Sequence, residues 1–399
     1  MERTGVVVLG ATGSIGRSTL RVLSRHANRF RVVGLGAGRR GAELDALAGE
    51  FKPEFVVLAR DPDGREAPAW GGEWRYGPGA VAEAAEDPRA EIVVNGLVGF
   101  AGLETTLRAL RAGKRLALAN KESLVVGGEL VLEALRDGGG ELVPVDSEHS
   151  AIHQCLAGRP ADEVRRLILT ASGGPFRALP EGDFGSIRAE EALEHPTWSM
   201  GDKITIDSAT LANKALEVIE AHLLFGVPYD AIEVVVHPES IVHSMVEFRD
   251  GSTLAQLGHP TMEVPILYAL GLPHRLADAF PPFDPIAASP LTFEALRREA
   301  FPMFDLGVAA GRDGGDRTTV YNAANEIAVL AFLDGRLSFP GIAEAVRRTL
   351  ASCPRADVAS LEALEAADAR ARATAEAEVC AVAGEARPAA PGNLPPSRG

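Results

Sequence analysis

Residues 5–23 read GVVVLGATGSIGRSTLRVL, an apolar run that breaks at Gly10 and passes through Gly13 and Gly16 into a segment with helical spacing. A parallel strand buried on both faces has this continuous apolar character. Glycines at its junction with a helix let backbone N–H groups approach a pyrophosphate at the helix N-terminus. The spacing is G-x-x-G-x-x-G rather than G-x-G-x-x-G, so the string is a weak signal by itself, and its place after the first strand is what points to a nucleotide.

Outward from this unit, RVVGLG (31–36), EFVVLA (54–59), EIVVNGLV (91–98), RLALAN (115–120) and ELVPVD (141–146) alternate with helix-period stretches such as LETTLRALRAGK (103–114). The alternation predicts βαβ units and a doubly wound, Rossmann-like α/β domain over residues 1–146. After the second run comes Gly38-Arg39-Arg40, where an NAD site usually offers an acid to the ribose; two arginines suit a 2′-phosphate and favour NADP.

Beyond residue 146 the rhythm changes. RRLILTASGGPF (165–176), a helix expected over DSATLANKALEVIEAHLLFG (207–226), EVVVHP (233–238) and a hairpin turning at Asp250-Gly251 predict an α+β domain over 147–270. Pro273, Pro281, Pro282, Pro285 and Pro290 mark 271–297 as a linker. Residues 298–386 carry helical periodicity without strands and predict an all-α bundle, and 387–399 read as a disordered tail.

The chain has 399 residues and a formal net charge of −15, which argues against polyanion partners such as nucleic acid or an anionic membrane surface. Phosphorylated ligands must then be held by local charges. Cys155, Cys353 and Cys380 are odd in number and lack C-x-x-C spacing, which fits a reducing cytoplasm better than a disulfide framework or a zinc site. The start, MERTGVVVLG, does not read as a signal peptide, and no apolar run approaches the ~18 residues of a membrane span.

Two further groups bear on chemistry. Asp146-Ser147-Glu148-His149 follows a strand, where open α/β sheets place ligands, although a D-x-E pair there is also a common helix cap. Asn213, Lys214 and Glu217 share one edge of the expected helix after Asp207, either as a surface ion pair or, with Ser208 near the helix start, as a phosphate and cation site. Carboxylates without a His/Cys set select a hard cation, Mg²⁺ or Mn²⁺, with Co²⁺ also admissible. Lys121 stands at the same sheet edge, and HPTWSMGDK (195–203) reads as a lid. His237, His243 and His259 read as structural or supporting residues.

Taken together, GATGSIG, NGLVGFAGL, LANKESLV, VPVDSEHSAI, LTASGGPF, HPTWSMGDKITIDSATLANKALEVIEA, HPESIVHSMVEF and NAANEIAV resemble, in order and over nearly the whole chain, the 1-deoxy-D-xylulose 5-phosphate reductoisomerase family. The resemblance implies an NADPH domain, a connective domain with catalytic groups and the homodimer contact, and a C-terminal four-helix domain. It implies cofactor contacts at Thr12, Gly13, Ser14, Ile15, Gly38, Arg39, Arg40, Asn120, Glu122 and Gly201, and metal ligands at Asp146, Glu148 and Glu217. Substrate contacts are implied at Lys121, Ser147, Glu148, Ser172, His195, Ser208, Asn213, Lys214 and Glu217, with Lys121 and Glu148 catalytic and Trp198 and Met200 closing over them. Asp202 departs from a lid position that is often basic in the family. A homoserine- or semialdehyde-dehydrogenase-like enzyme would not need three carboxylates, and an NADP-binding redox sensor would leave DSEH and the Asn213/Lys214/Glu217 edge idle.

Overall fold

A computed structural model describes residues 3–60, 70–198 and 200–385. The first sheet has strands β1 (Thr4–Leu9), β2 (Phe30–Ala37), β3 (Phe55–Leu58), β4 (Glu73–Tyr76), β5 (Ile92–Asn95), β6 (Arg115–Leu118) and β7 (Glu141–Pro144). They are parallel throughout, in the order β4-β3-β2-β1-β5-β6-β7. Helices α1 (Ser14–Arg25), α2 (Gly41–Phe51), α3 (Pro78–Glu83), α4 (Leu103–Arg111) and α5 (Lys121–Gly138) cover its two faces. Alternation along β1 sends Val6 and Val8 into the core under α1 and α2 and Val7 and Leu9 into the core under α3, α4 and α5. All four are fully buried, each stabilising by about 1.5–3 kcal/mol. The direction of winding reverses between β1 and β5, the crevice where such sheets bind ligands.

The second unit contains α6 (Ser147–Leu156), β8 (Val164–Ala171), α7 (Ala189–Ala192), α8 (Asp202–Thr210), α9 (Ala212–Phe225), β9 (Ile232–Val236), β10 (Val242–Phe248) and β11 (Thr253–Leu257). Its sheet runs β11-β10-β8-β9 and ends on β12 (Glu294–Ala295). The expected hairpin forms: Gly251 takes φ +86° and Ser252 N–H donates to Asp250 Oδ1 at 2.8 Å.

The structure corrects three sequence readings. The single helix expected over 207–226 is two, because Leu211 adopts φ +63° and ends α8 before α9 begins. That conformation is rare for a branched side chain. Helix α10 (Glu263–Gly271), expected in the second domain, packs under the first sheet through Ile266, Leu267 and Leu270 and is pinned by Arg21 and Arg25 on Glu263, both at 2.7 Å. The proline-rich stretch is likewise more than a tether: Asp278 pairs with Arg25 and His26, and residues 294–295 extend the second sheet. The edge strand β4, sequence EWRY, has too few apolar residues for its pattern to announce it.

Helices α11 (Pro302–Asp313), α12 (Arg317–Leu333), α13 (Phe339–Ser352) and α14 (Leu361–Glu385) form the expected bundle. Its core is continuous with α8 and α9, joining Ile206, Ala215 and Ile219 to Val320 and Phe332. Residues 387–399 lie outside the described residues. The three cysteines are free, and among the described residues no helix is long and apolar enough to cross a membrane.

Candidate functional site

At the carboxyl edge of the first sheet, where it faces α8 and α9, lies a cavity of about 650 Å³. One end is lined by Gly13, Ser14, Ile15 and Arg40, from the loops after β1 and β2. Gly10 holds φ +81° there, and a Cβ on it would lie 2.3 Å from the Gly96 carbonyl oxygen; one on Gly16 would lie 2.3 Å from that of Gly10. These glycines let the loop fold flat beneath the start of α1. Thr12, within this loop, is buried; it lies outside the lining, as do Gly38 and Arg39, which precede Arg40. Asn120 is also outside it: its Oδ1 caps α5 by accepting from Ser123 N–H at 2.7 Å, and its Nδ2 donates to the carbonyls of Leu97 (2.7 Å) and Gly99 (3.0 Å). Its side chain therefore shapes the loop and has no amide group left for a cofactor, whereas Glu122 and Gly201 do face the cavity.

The other end gathers Lys121, Asp146, Ser147, Glu148, Asn213, Lys214 and Glu217, all predicted and all lining the cavity. Asp146 stands at the N-cap position of α6 yet caps nothing; its carboxylate turns to Lys121 instead. Lys121 Nζ also donates to Asn213 Oδ1 at 2.7 Å and Glu217 Oε1 at 3.0 Å. Lys214 Nζ donates to Glu148 Oε1 and the Thr170 carbonyl, both at 2.6 Å, and to Glu217 Oε2. The sequence left Lys214 either in a surface ion pair or as a phosphate anchor; here it is buried, and all three of its N–H bonds are taken by oxygen acceptors.

Burial pushes the Asp146 and Glu217 carboxyl groups above the ordinary carboxylate range. It pushes Glu148 up too, but Lys214 and Lys121 beside it hold it well below that range. Burial alone would lower both lysines; the carboxylates around them raise them instead. Asp146, Glu148 and Glu217 each offer a carboxylate oxygen within 4.8 Å of the others, and Asp146 Oδ2, although in ionic contact with Lys121, has no well-oriented hydrogen bond. Three carboxylate oxygens this close together, all hard donors, fit a divalent cation.

Sequence reasoning did not single out His149 and Glu220, which back this trio. His149 Nδ1 lies 3.3 Å from Glu220 Oε2 and 3.9 Å from Asp146, while its Nε2 faces the Glu217 carbonyl at 2.8 Å. Burial carries the Glu220 carboxyl up to about 7. Lys203, also not singled out, lines the cavity beside Glu122. His243 lines it as well, its imidazole pKa lowered by burial, whereas His237 is bound to Thr292 O and Ile241 N and stays structural.

Ser208 needs correction: it lines the cavity from the last turn of α8 rather than from a helix start, so it offers no free N-terminal amide there. Ser172 lines the same wall, 3.0 Å from His195 Nε2. His195 Nδ1 accepts from the amides of Thr197 (3.1 Å) and Trp198 (2.9 Å), which leaves the ring proton on Nε2, donated to Ser172 Oγ. Trp198 and Met200 line the cavity above them.

Three family models match the chain: 1-deoxy-D-xylulose 5-phosphate reductoisomerase over residues 6–128, its C-terminal domain over 142–225, and the DXP reductoisomerase C-terminal domain over 257–374. The chain is 52% identical over 373 residues to the 1-deoxy-D-xylulose 5-phosphate reductoisomerase of Rhodococcus jostii, covering 92% of each chain. It is 52% identical over 354 residues to that of Mycolicibacterium smegmatis, covering 88% of each. The solved Zymomonas mobilis reductoisomerase in complex with NADPH superposes with a TM-score of 0.89 at 44% identity, covering 95% of this chain and 99% of that one. A DOX-P reductoisomerase in complex with NADPH, fosmidomycin and magnesium gives 0.88 at 39% identity, covering 94% and 98%.

Proposed function

The chain belongs to the 1-deoxy-D-xylulose 5-phosphate reductoisomerase family, and from that premise we propose how its own residues serve the reaction. It catalyses the NADPH- and divalent-metal-dependent rearrangement and reduction of 1-deoxy-D-xylulose 5-phosphate to 2-C-methyl-D-erythritol 4-phosphate, in the non-mevalonate route to isoprenoid precursors.

The observation that carries the residue assignment is the trio Asp146, Glu148 and Glu217, three oxygen donors within 4.8 Å of one another between two buried lysines. These three would hold the cation, Mg²⁺ or Mn²⁺, which when bound supplies a Lewis acid and a chelating template for vicinal substrate oxygens. The glycine loop with Arg39 and Arg40 would hold NADPH, the source of hydride for the reductive stage.

The remaining steps belong to the side chains. Three carboxyl groups, the buried Glu217 and the half-buried Asp146 and Glu148, face the two ammonium groups of Lys121 and Lys214, an excess of negative charge that a divalent cation would offset. The lysines would then be free to turn toward the substrate. Lys214, with Ser172, Ser208 and Asn213, takes the phosphate, and the Nε2–H of His195 fixes the Ser172 hydroxyl for it. Lys121 donates a hydrogen bond to the carbonyl oxygen that gains charge as the carbon skeleton rearranges, and Ser147 binds the adjoining hydroxyl. Glu148 moves the proton: Lys214 keeps its basicity low, and that restraint relaxes when the ammonium turns to the phosphate. Trp198 and Met200 exclude water.

We assign the homodimer contact to the second sheet, whose edge strand β11 pairs on one side with β10 and exposes Leu254 and Leu257, and we place the enzyme in the cytoplasm. The deciding assay follows NADPH absorbance with 1-deoxy-D-xylulose 5-phosphate before and after chelation and on restoring magnesium. Oxidation should stop on chelation and return with the metal; chelator-insensitive turnover would remove the metal role of the trio.

A further inference from the structure

The NAANE stretch of α12 places Asn322, Asn325 and Glu326 on one helix face, and both asparagines are fully buried. The reaction as derived above uses none of them. Asn325 Nδ2 donates to Asp207 Oδ1 at 2.7 Å; Asp207 Oδ2 lies 2.8 Å from Lys203 Nζ one turn back along α8; Lys203 Nζ reaches Glu122 Oε1, in the first turn of α5, at 3.2 Å. Glu326, held by Arg372 of α14, presses on the loop after β5: a Cβ on Gly99 would come within 2.6 Å of its Oε1. One chain of polar contacts, buried at Asn325 and Asp207 and half-buried at Lys203 and Glu122, thus crosses all three units and ends on the cavity wall, which both Lys203 and Glu122 line.

A network of this kind is poor value for stability alone, since well-packed apolar groups of similar volume often serve as well. Its geometry has a different effect: it fixes the direction of one carboxylate that faces the cofactor end. We propose that Lys203 is a positioning residue for NADPH, aiming Glu122 into the cavity, and that the C-terminal bundle sets Lys203 through Asn325 and Asp207. The proposal rests on the reading of Glu122 as a cofactor contact. Burial pushes the Glu122 carboxyl up and Lys203 holds it below its ordinary range, so the pair is ionised as the geometry requires.

NADPH fluorescence titration of the full chain, with magnesium affinity measured in parallel, tests it. Glu122→Gln and Lys203→Met should each raise the NADPH Kd by about 10–100-fold, as expected when a ligand-orienting partner is removed. The double variant should be no worse than the weaker single one, and magnesium affinity should hold within about twofold. Asn325→Leu should raise the NADPH Kd in the same direction by about 3–10-fold. If Glu122→Gln weakens NADPH and Lys203→Met does not, the positioning role is lost and the Glu122 reading stands. If neither weakens it, both are lost. Equal losses of NADPH and magnesium affinity would mean a general structural role instead. Should Lys203→Met fail to fold, Asn325→Leu decides, a wild-type NADPH Kd overturning the proposal.

Discussion

The two ends of the cavity are built on different physics. At the glycine end the lining comes from two short loops near one another in sequence, much of it is backbone, and the Arg40 side chain is 56% exposed and only loosely paired with Glu43 at 3.7 Å. At the carboxylate end, α5, α6 and α9 converge from far apart in sequence, and the side chains of Lys214 and Glu217 are 4% and 1% exposed. Charges in water are screened and nearly independent; charges removed from it are strongly coupled, so that each carboxylate at this end depends on a lysine and each lysine on more than one oxygen. Apart from Gly10 and Gly16, where a Cβ would meet backbone, the first end is therefore tolerant of side-chain change and the second is not.

The sharpest way to break this contrast is Glu217→Gln. It should cut metal-dependent turnover by about 10³-fold or more, roughly 4 kcal/mol of transition-state stabilisation, and leave the NADPH Kd unchanged. Near-wild-type turnover would show that the two ends are alike in tolerance. Lys214→Ala comes next. Leaving Glu148 and Glu217 buried beside a missing cation should cost about 3–5 kcal/mol in denaturant unfolding of the chelated protein, and raise KM for the phosphorylated substrate more than it lowers kcat. An unchanged KM would remove the phosphate role.

At the glycine end, Arg39→Ala with Arg40→Ala should raise KM for NADPH by about tenfold in low salt, leave KM for NADH nearly unchanged and cost less than about 1 kcal/mol of stability. Equal effects on both cofactors would contradict the 2′-phosphate reading. The smallest effect is a pH dependence at His195. Burial lowers its imidazole pKa, so the unfolded chain takes up the proton first as pH falls below 6.5, and the stabilising neutral ring is lost as pH passes the folded pKa. Protonation also removes Nδ1 as the acceptor for the Thr197 and Trp198 amides. KM for the phosphorylated substrate should therefore hold near pH 7 and rise as pH falls below 6.5, with the NADPH Kd flat; a parallel rise in both would place the titrating group elsewhere.

The sequence announced the strands of the first sheet except β4, because a strand buried on both faces must be apolar at every position whereas an edge strand need not be. DSEH and the Asn213/Lys214/Glu217 edge were legible for a similar reason: the spacing alone puts them on one side of a helix or at a strand end. Leu211 was not, since nothing in its side chain marks a left-handed turn and surrounding packing imposes it. His149 with Glu220 and Lys203 with Glu122 escaped notice because packing between helices far apart in sequence brings the partners together; Glu122 and Lys203 are 81 residues apart.

By itself, then, the sequence determined the doubly wound sheet, a glycine loop of the kind that suits a nucleotide and the residue types for a hard cation, because each follows from local periodicity and short-range spacing. Only the tertiary structure decided that Lys121 and Lys214 are bound up with the carboxylates, that Asn120 builds the loop, that α10 belongs under the first sheet, and that α12 is linked through Asp207 to Lys203. Those outcomes turn on which charges lose their water together, a quantity fixed by packing between segments far apart in the chain.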